Sequence, residues 1–295
     1  MHVAVVGAGS MGHGIAQVSA MAGHDVTLRD IDEEIVSDGL DAIRENLRGG
    51  VDRGKITNAE MDATLDRLDG TTDLSTAVDD ADLVVEAVPE SMSLKTDVFT
   101  EIEAEVADDC VLASNTSSLS VSELAGALER PERVVGLHFF NPPHLMDLVE
   151  VVIAEQTSAK TESFATSFVE GLAKEAVVVR DTAGFASSRL GIALGLEAIR
   201  MVETGVASPV DIDAAMREGY NHPMGPLKLT DLVGLDVRLD IAEYLREELG
   251  ERFKPPQLLK RKVRGGKLGK KSGEGFYTWE GDEAVAVAGK WGEEL

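Results

Sequence analysis

A short apolar run entering a glycine-rich turn, apolar runs that keep alternating with helical stretches as far as Asp181, and helical spacing after it together predict an α/β fold. The expected architecture is a parallel-sheet domain over residues 1–181 and a smaller all-helical domain over 182–295. At 295 residues with 43% apolar content, the chain can bury a real core in one large or two ordinary domains, which argues against a disordered or fibrous protein.

The first element is the run His2-Val3-Ala4-Val5-Val6, read as a strand. Gly7-Ala8-Gly9-Ser10-Met11-Gly12 follows and opens a helical pattern through Ile15-Ala16-Gln17-Val18. A lone G-x-G-x-x-G is weak, but strand, glycine turn and helix in that order form the Rossmann-type dinucleotide context. Gly7 permits the tight turn, Gly9 lets backbone approach a pyrophosphate, and Gly12 lets helix pack closely, while Ser10 and Met11 lie at the helix N-terminus that faces the anion. A second strand, Asp25 to Leu28, leads to Asp30, eighteen residues after Gly12. An acid near that spacing binds the adenosine ribose hydroxyls and repels a 2′-phosphate, so NAD is expected over NADP, with Arg29 next door as a countervailing charge.

Two helical patterns come next, Ile35 to Leu47 and Ala59 to Leu68, separated by Gly49-Gly50 and Arg53-Gly54-Lys55. They read as a helical hairpin inserted into the crossover, serving either a substrate or only the structure. The strand Asp82 to Val88 meets Pro89-Glu90 and a helix from Ser93 to Val106; the strand Cys110 to Ser114 meets Asn115-Thr116-Ser117-Ser118. Both junctions belong at carboxyl ends of parallel strands, where open α/β sheets bind ligands. Glu90, Lys95, Asn115 and Ser117 are therefore candidates to touch cofactor or substrate, with helix capping by Ser117 or Ser118 as the structural alternative. Cys110, alone of its type, reads as a buried inert thiol in a reducing compartment.

The run Val134 to Leu137 ends at His138, the run Val149 to Ile153 starts beside Glu150, and Asn141-Pro142-Pro143 must turn between them. If the runs pair as a hairpin, an imidazole and a carboxylate twelve positions apart become neighbours. A carboxylate holding a histidine is a general-base arrangement, and equally an ordinary structural hydrogen bond.

After Asp181 the expected helices are Phe185 to Val202, nearly apolar all round and so read as buried, then Val210 to Met216 opened by Ser208-Pro209, and Leu229 to Leu249. Loop residue His222 reads as structural rather than as a second catalytic histidine, and the tail after Trp279 carries no motif. The net charge of −25 excludes nucleic acid and anionic membranes as partners and suggests a halophile-like surface. Against it stands a basic segment from Lys254 to Lys271 without an acid, either solvated or a landing site for an anion. No run approaches a membrane span and the chain enters a strand at once, which points to a cytoplasmic protein; no metal site is expected.

Together with Val85-Glu86-Ala87-Val88-Pro89-Glu90, Asp181-Thr182-Ala183-Gly184-Phe185, His222-Pro223-Met224-Gly225-Pro226 and Gly273-Glu274-Gly275-Phe276-Tyr277, these motifs resemble in order the L-3-hydroxyacyl-CoA dehydrogenases. The resemblance covers nearly the whole chain and is strongest to the 3-hydroxybutyryl-CoA type of fatty-acid β-oxidation. It implies His138 as catalytic base oriented by Glu150, Ser117 and Asn141 at the substrate or nicotinamide, Glu90 and Lys95 at NAD, and Lys55 in the hairpin that meets the CoA moiety. It further implies a homodimer formed through a helical domain that closes the cleft. One departure is Ser188, which stands where the family segment Gly-Phe-x-x-Asn-Arg has the substrate-holding asparagine. The expected reaction is NAD-dependent oxidation of a short-chain L-3-hydroxyacyl-CoA. The rivals are a sugar-acid dehydrogenase of the L-gulonate type and a non-catalytic NAD-binding protein.

Overall fold

The computed structural model describes residues 1–288, and the last seven residues of the tail lie outside the described part. The chain forms two compact units, Met1–Phe185 and a second from Ala186 on, dividing four residues after the expected boundary at 181.

The first unit is built on β1 (His2–Val6), β2 (Asp25–Arg29), β3 (Leu68–Thr71), β4 (Leu83–Glu86), β5 (Val111–Ser114), β6 (Val134–Phe139), β7 (Leu148–Ile153) and β8 (Glu175–Arg180). They form one sheet in the order β3-β2-β1-β4-β5-β6-β7-β8. The first six are parallel in the doubly wound order of dinucleotide-binding sheets, and β7 reverses the direction by pairing antiparallel with β6. Strand alternation explains the two cores. Val3 and Val5 join one apolar cluster while Ala4 and Val6 join the other, and each fully buried valine contributes roughly 1.5–3 kcal/mol.

Helices α1 (Ser10–Met21), α2 (Glu33–Asp52), α3 (Asn58–Leu65), α4 (Leu74–Val78), α5 (Met92–Glu105), α6 (Val121–Gly126) and α7 (Ala159–Gly171) complete the unit. The hairpin α2–α3 differs from expectation at both ends. Gly49 and Gly50 do not break α2, because Ile56 packs against Gly50 from the following turn and helix continuity is kept to Asp52. Leu68 is not the end of α3 but the start of β3, where pairing with Val26 of β2 overrides the helical spacing. Edge strand β3 hides in the sequence because LDGT holds Asp and Gly, both depleted in strands, and only one β-branched residue, Thr71. The cap of α6 is Ser120, which accepts from Glu123 N, so neither Ser117 nor Ser118 serves as that cap.

The second unit contains α8 (Ser187–Thr204), α9 (Pro209–Tyr220), α10 (Pro226–Val233), α11 (Leu235–Leu249), α12 (Gln257–Arg264) and a hairpin of β9 (Tyr277–Glu280) and β10 (Glu283–Val287). It is therefore not helical throughout. Buried Asp231 accepts from Phe276 N, Tyr277 N and Trp279 Nε1 at 2.8, 2.9 and 3.0 Å, which fixes the hairpin to α10. Asp213 likewise accepts from Leu227 N and Tyr277 Oη, both at 2.8 Å. The Gly273–Tyr277 motif is thus structural: a Cβ on Gly275 would lie 2.2 Å from Asp231 Oδ1.

Two more expectations change in this unit. Helix α8 is buried on one face only, with Leu190 71% exposed, because its apolar residues outnumber the neighbours available within the chain. The long helix expected from Leu229 to Leu249 is broken at Gly234, whose φ of +104° no helix accommodates. The basic segment is neither freely solvated nor open to an anion along its length. Lys260 pairs with Glu243 and Lys271 with Asp236 at 2.6 Å, Lys270 with Asp282 at 2.5 Å, and Lys267 with Glu274.

Candidate active site

The register of β6 against β7 places His138 opposite Glu150, as the two apolar runs suggested. The turn through Asn141-Pro142-Pro143 returns the chain so that His138 Nδ1 lies 2.8 Å from Glu150 Oε2. Both are buried, at 6% and 1% exposure, with the rings of Phe140 and Phe185 at 4.6 and 5.8 Å from the imidazole. A carboxylate can only accept, so in the neutral imidazole the proton sits on Nδ1 and the lone pair on Nε2. His138 lines a cleft of about 340 Å³ with Met11, Val88, Glu90, Lys95, Asn115, Ser117, Phe139 and Asn141.

One wall of that cleft is the junction of β4 with α5, the other the segment after β5. Glu90 Oε1 accepts from Thr116 Oγ1 at 2.6 Å, Ser117 N at 3.0 Å and Ser118 Oγ at 3.3 Å, which joins the two junctions. Burial works to raise the Glu90 carboxyl, but the Lys95 charge and these hydrogen bonds outweigh it and leave it below its ordinary range. Asn115 Oδ1 accepts from Phe139 N at 2.9 Å, tying the segment after β5 to the residue beside His138. Lys95 is 1% exposed, and its three protons meet Glu86 Oε1 at 2.6 Å, Val88 O at 3.2 Å and Glu90 Oε2 at 3.3 Å. Its ammonium thus bridges the two acids and the Val88 carbonyl at the cleft wall.

Glu86 and Ser114 complete this network, and neither was singled out in the sequence as a site residue. Ser114 Oγ donates to Glu86 Oε2 at 2.7 Å, and burial raises the Glu86 carboxyl against the lowering field of Lys95. The signal was available: a single acid in an otherwise apolar buried strand needs a partner.

A larger cleft of about 580 Å³ adjoins the first, sharing Met11, Ala87 and Val88, and runs past Gly7, Gly9, Ser10, Arg29 and Asp30. Gly7 has φ +108°, and a Cβ on Gly12 would lie 1.6 Å from the Gly7 carbonyl oxygen, so both glycines are required by the turn. At Gly9 a Cβ would meet nothing within 4 Å, and Gly9 caps α1 with no side-chain bond to the helix N–H groups. That open cradle at a helix N-terminus fits a diphosphate. Asp30 is held at its edge, accepting from Ala8 N and Ile31 N at 2.7 Å each, and Arg29 Nε is drawn away to Thr72 O at 3.2 Å. The residues fit a dinucleotide laid across both clefts.

Other candidates lie elsewhere. Lys55 is exposed in the turn between α2 and α3, and Ser188 is in the first turn of α8, in the second unit. His222 sits in the loop after α9, where its backbone N–H donates to Met216 O at 3.2 Å. Burial pushes the Cys110 thiol up to about 12, which makes it inert. No group of side chains suited to a metal occurs among the described residues, and none of their helices is long and apolar enough to cross a membrane.

Two family profiles match the chain, "3-hydroxyacyl-CoA dehydrogenase, NAD binding domain" over residues 2–182 and "3-hydroxyacyl-CoA dehydrogenase, C-terminal domain" over 184–279. A 3-hydroxybutyryl-CoA dehydrogenase of Mycobacterium tuberculosis is 47% identical, covering 94% of this chain and 98% of its own. A probable 3-hydroxybutyryl-CoA dehydrogenase of Deinococcus radiodurans is 44% identical over 95% of this chain and all of its own. The crystal structure of the (S)-3-hydroxybutyryl-CoA dehydrogenase of Ralstonia eutropha superposes with a TM-score of 0.91 at 36% identity, covering 95% of this chain and 99% of that one.

Proposed function

From the premise that the chain belongs to the 3-hydroxyacyl-CoA dehydrogenase family and is an NAD-dependent oxidoreductase, we propose that it oxidises a short-chain L-3-hydroxyacyl-CoA at C3, with His138 as base and Glu150 as its orienting partner. The observation that carries this reading is the 2.8 Å bond between His138 Nδ1 and Glu150 Oε2 beside the dinucleotide clefts.

NAD, when bound, supplies the hydride acceptor. His138 Nε2 removes the proton of the 3-hydroxyl as the C3 hydrogen leaves as hydride, and the Glu150 carboxylate stabilises the imidazolium that results. Ser117 and Asn141 hold the substrate oxygen at the cleft wall, while Ser188 and Lys55 carry contacts to the acyl and CoA parts. Gly7, Gly9, Gly12, Ser10 and Met11 shape the diphosphate site, Asp30 takes the ribose, and Glu90 and Asn115 face the nicotinamide half, with Lys95 acting through Glu90. In this reading the enzyme works as a homodimer through its helical domain, in the cytoplasm, without nucleic acid or membrane as partner. The charge of −25 further suits a salt-rich interior.

The test is NADH oxidation with acetoacetyl-CoA. Wild-type protein turns it over, and His138→Gln keeps its NADH affinity while kcat drops by about 10²–10⁴-fold, the usual worth of a general base. Undiminished turnover in the variant, or a wild-type rate with L-gulonate but none with the CoA thioester, removes the assignment.

A further inference from the structure

Glu86 influences the cleft without lining it. It ends β4 at 0% exposure, and each group in hydrogen-bond contact with its carboxylate is a donor: Lys95 Nζ at 2.6 Å and Val88 N at 2.7 Å on Oε1, Ser114 Oγ at 2.7 Å on Oε2. Ser114 Oγ itself receives Thr116 N at 3.2 Å, which leaves its own proton for Glu86. Three such donors, one of them an ammonium, favour the ionised form of this carboxyl against the burial that opposes it. Lys95 divides its protons between Glu86, Glu90 and the Val88 carbonyl, and of the two acids Glu90 is the one in the cleft beside His138. Two carboxylates thus share one ammonium, and the cluster keeps one negative charge in a wall where screening by salt is weak.

The nicotinamide ring is cationic when oxidised and neutral when reduced. We propose that Glu86 is a positioning residue whose charge, acting through Lys95 and Glu90, makes this cleft discriminate between the two redox states of the cofactor in favour of NAD⁺. The inference rests on the assignment of the cleft beside His138 to the nicotinamide half of the dinucleotide. With Glu86 ionised, Lys95 is half consumed at the rear of the wall and Glu90 remains a net anion at its face. Without that rear charge, the same ammonium neutralises Glu90 outright. The Glu150 charge is common to both situations, so a comparison between them isolates Glu86. The functional consequence is that hydride transfer, which removes the ring's positive charge, also removes an attraction, and the reduced cofactor is released more readily.

The experiment is titration of Glu86→Gln and wild type with NAD⁺ and with NADH separately, at one pH and salt concentration, by calorimetry and NADH fluorescence. The expected result is a fall in the ratio Kd(NADH)/Kd(NAD⁺) of about three- to tenfold, the effect of a unit charge roughly 10 Å away at an effective dielectric of about 25–50. Affinities that change by the same factor for both forms overturn the proposal, since a merely structural defect does not read the ring's charge. Ser114→Ala, which removes a hydrogen bond to Glu86 but no charge, leaves the ratio where it was; a shift as large as that of Glu86→Gln also overturns it. If Glu86→Gln does not fold, Glu90→Gln removes the same net charge from an accessible position and has to move the ratio in the same direction. A wild-type protein that binds neither form overturns the dinucleotide reading itself, and this inference with it.

Discussion

His144 stands six residues beyond His138, in the loop that follows β6, and its surroundings are of opposite sign. Burial lowers its pKa, and the charges of His13, Arg53 and Lys174 lower it further; its Nδ1 is buried with no protein hydrogen-bond partner. His13 and His24 are lowered by burial as well. A base whose folded pKa lies below its unfolded value of about 6.5 binds fewer protons folded than unfolded, so stability is present above that pH and is lost as pH falls through it. Melting temperature is expected to decline between pH 7 and 5, and His144→Gln to make the decline shallower. Equal slopes for the two proteins in a thermal-melt series would contradict this account of His144.

At the level of elements, the site is a meeting of four connections. The hairpin of β6 and β7 supplies His138 and Glu150, the junctions after β4 and β5 supply the opposite walls, and the glycine turn into α1 supplies the open cradle. The loop after β6 is also packed on that helix: a Cβ on Gly14 would sit 2.6 Å from Pro143 Cδ. The glycines of the cradle do different jobs, and substitution separates them. Gly12→Ala collides with the Gly7 carbonyl, which forces α1 away; a destabilisation of about 1–3 kcal/mol in urea melts is expected, together with weaker NADH binding. Gly9→Ala meets no protein atom, so stability stays within about 0.5 kcal/mol while NADH affinity falls at least roughly tenfold. A Gly9→Ala variant that binds NADH normally would remove Gly9 from the cradle.

For the whole molecule, the governing quantity is a net charge of −25. The basic segment does not relieve it at a distance, because those lysines are paired locally with acids of the second unit. Most remaining carboxylates repel one another across a surface where screening depends on ionic strength, with a Debye length of about 8 Å at physiological salt and about 3 Å at 1 M. Folding compacts that charge, so salt stabilises the native state. The melting temperature is expected to rise steadily from low salt to molar KCl, and a protein equally stable at both ends would refute the proposed adaptation.

The sequence by itself determined the parts of this protein that depend on local order. The glycine turn, the strand before it and Asp30 after it were legible because dinucleotide binding needs those residue types at nearly fixed spacing along the chain. The His138–Glu150 pairing was legible as a possibility, because two apolar runs around a proline turn have few ways to pair. Tertiary structure decided what depends on partners remote in sequence. Edge strand β3 exists because β2 offers it a ladder, not because LDGT favours extension. Lys95 became an internal counter-ion because Glu86 and Glu90 converge on it from β4 and the turn after it. The basic segment likewise found acids on α11 and in the β9–β10 turn that no local pattern announced. Local geometry can be written in residue spacing, whereas the balance of buried charge is settled only when distant segments meet and water is excluded between them.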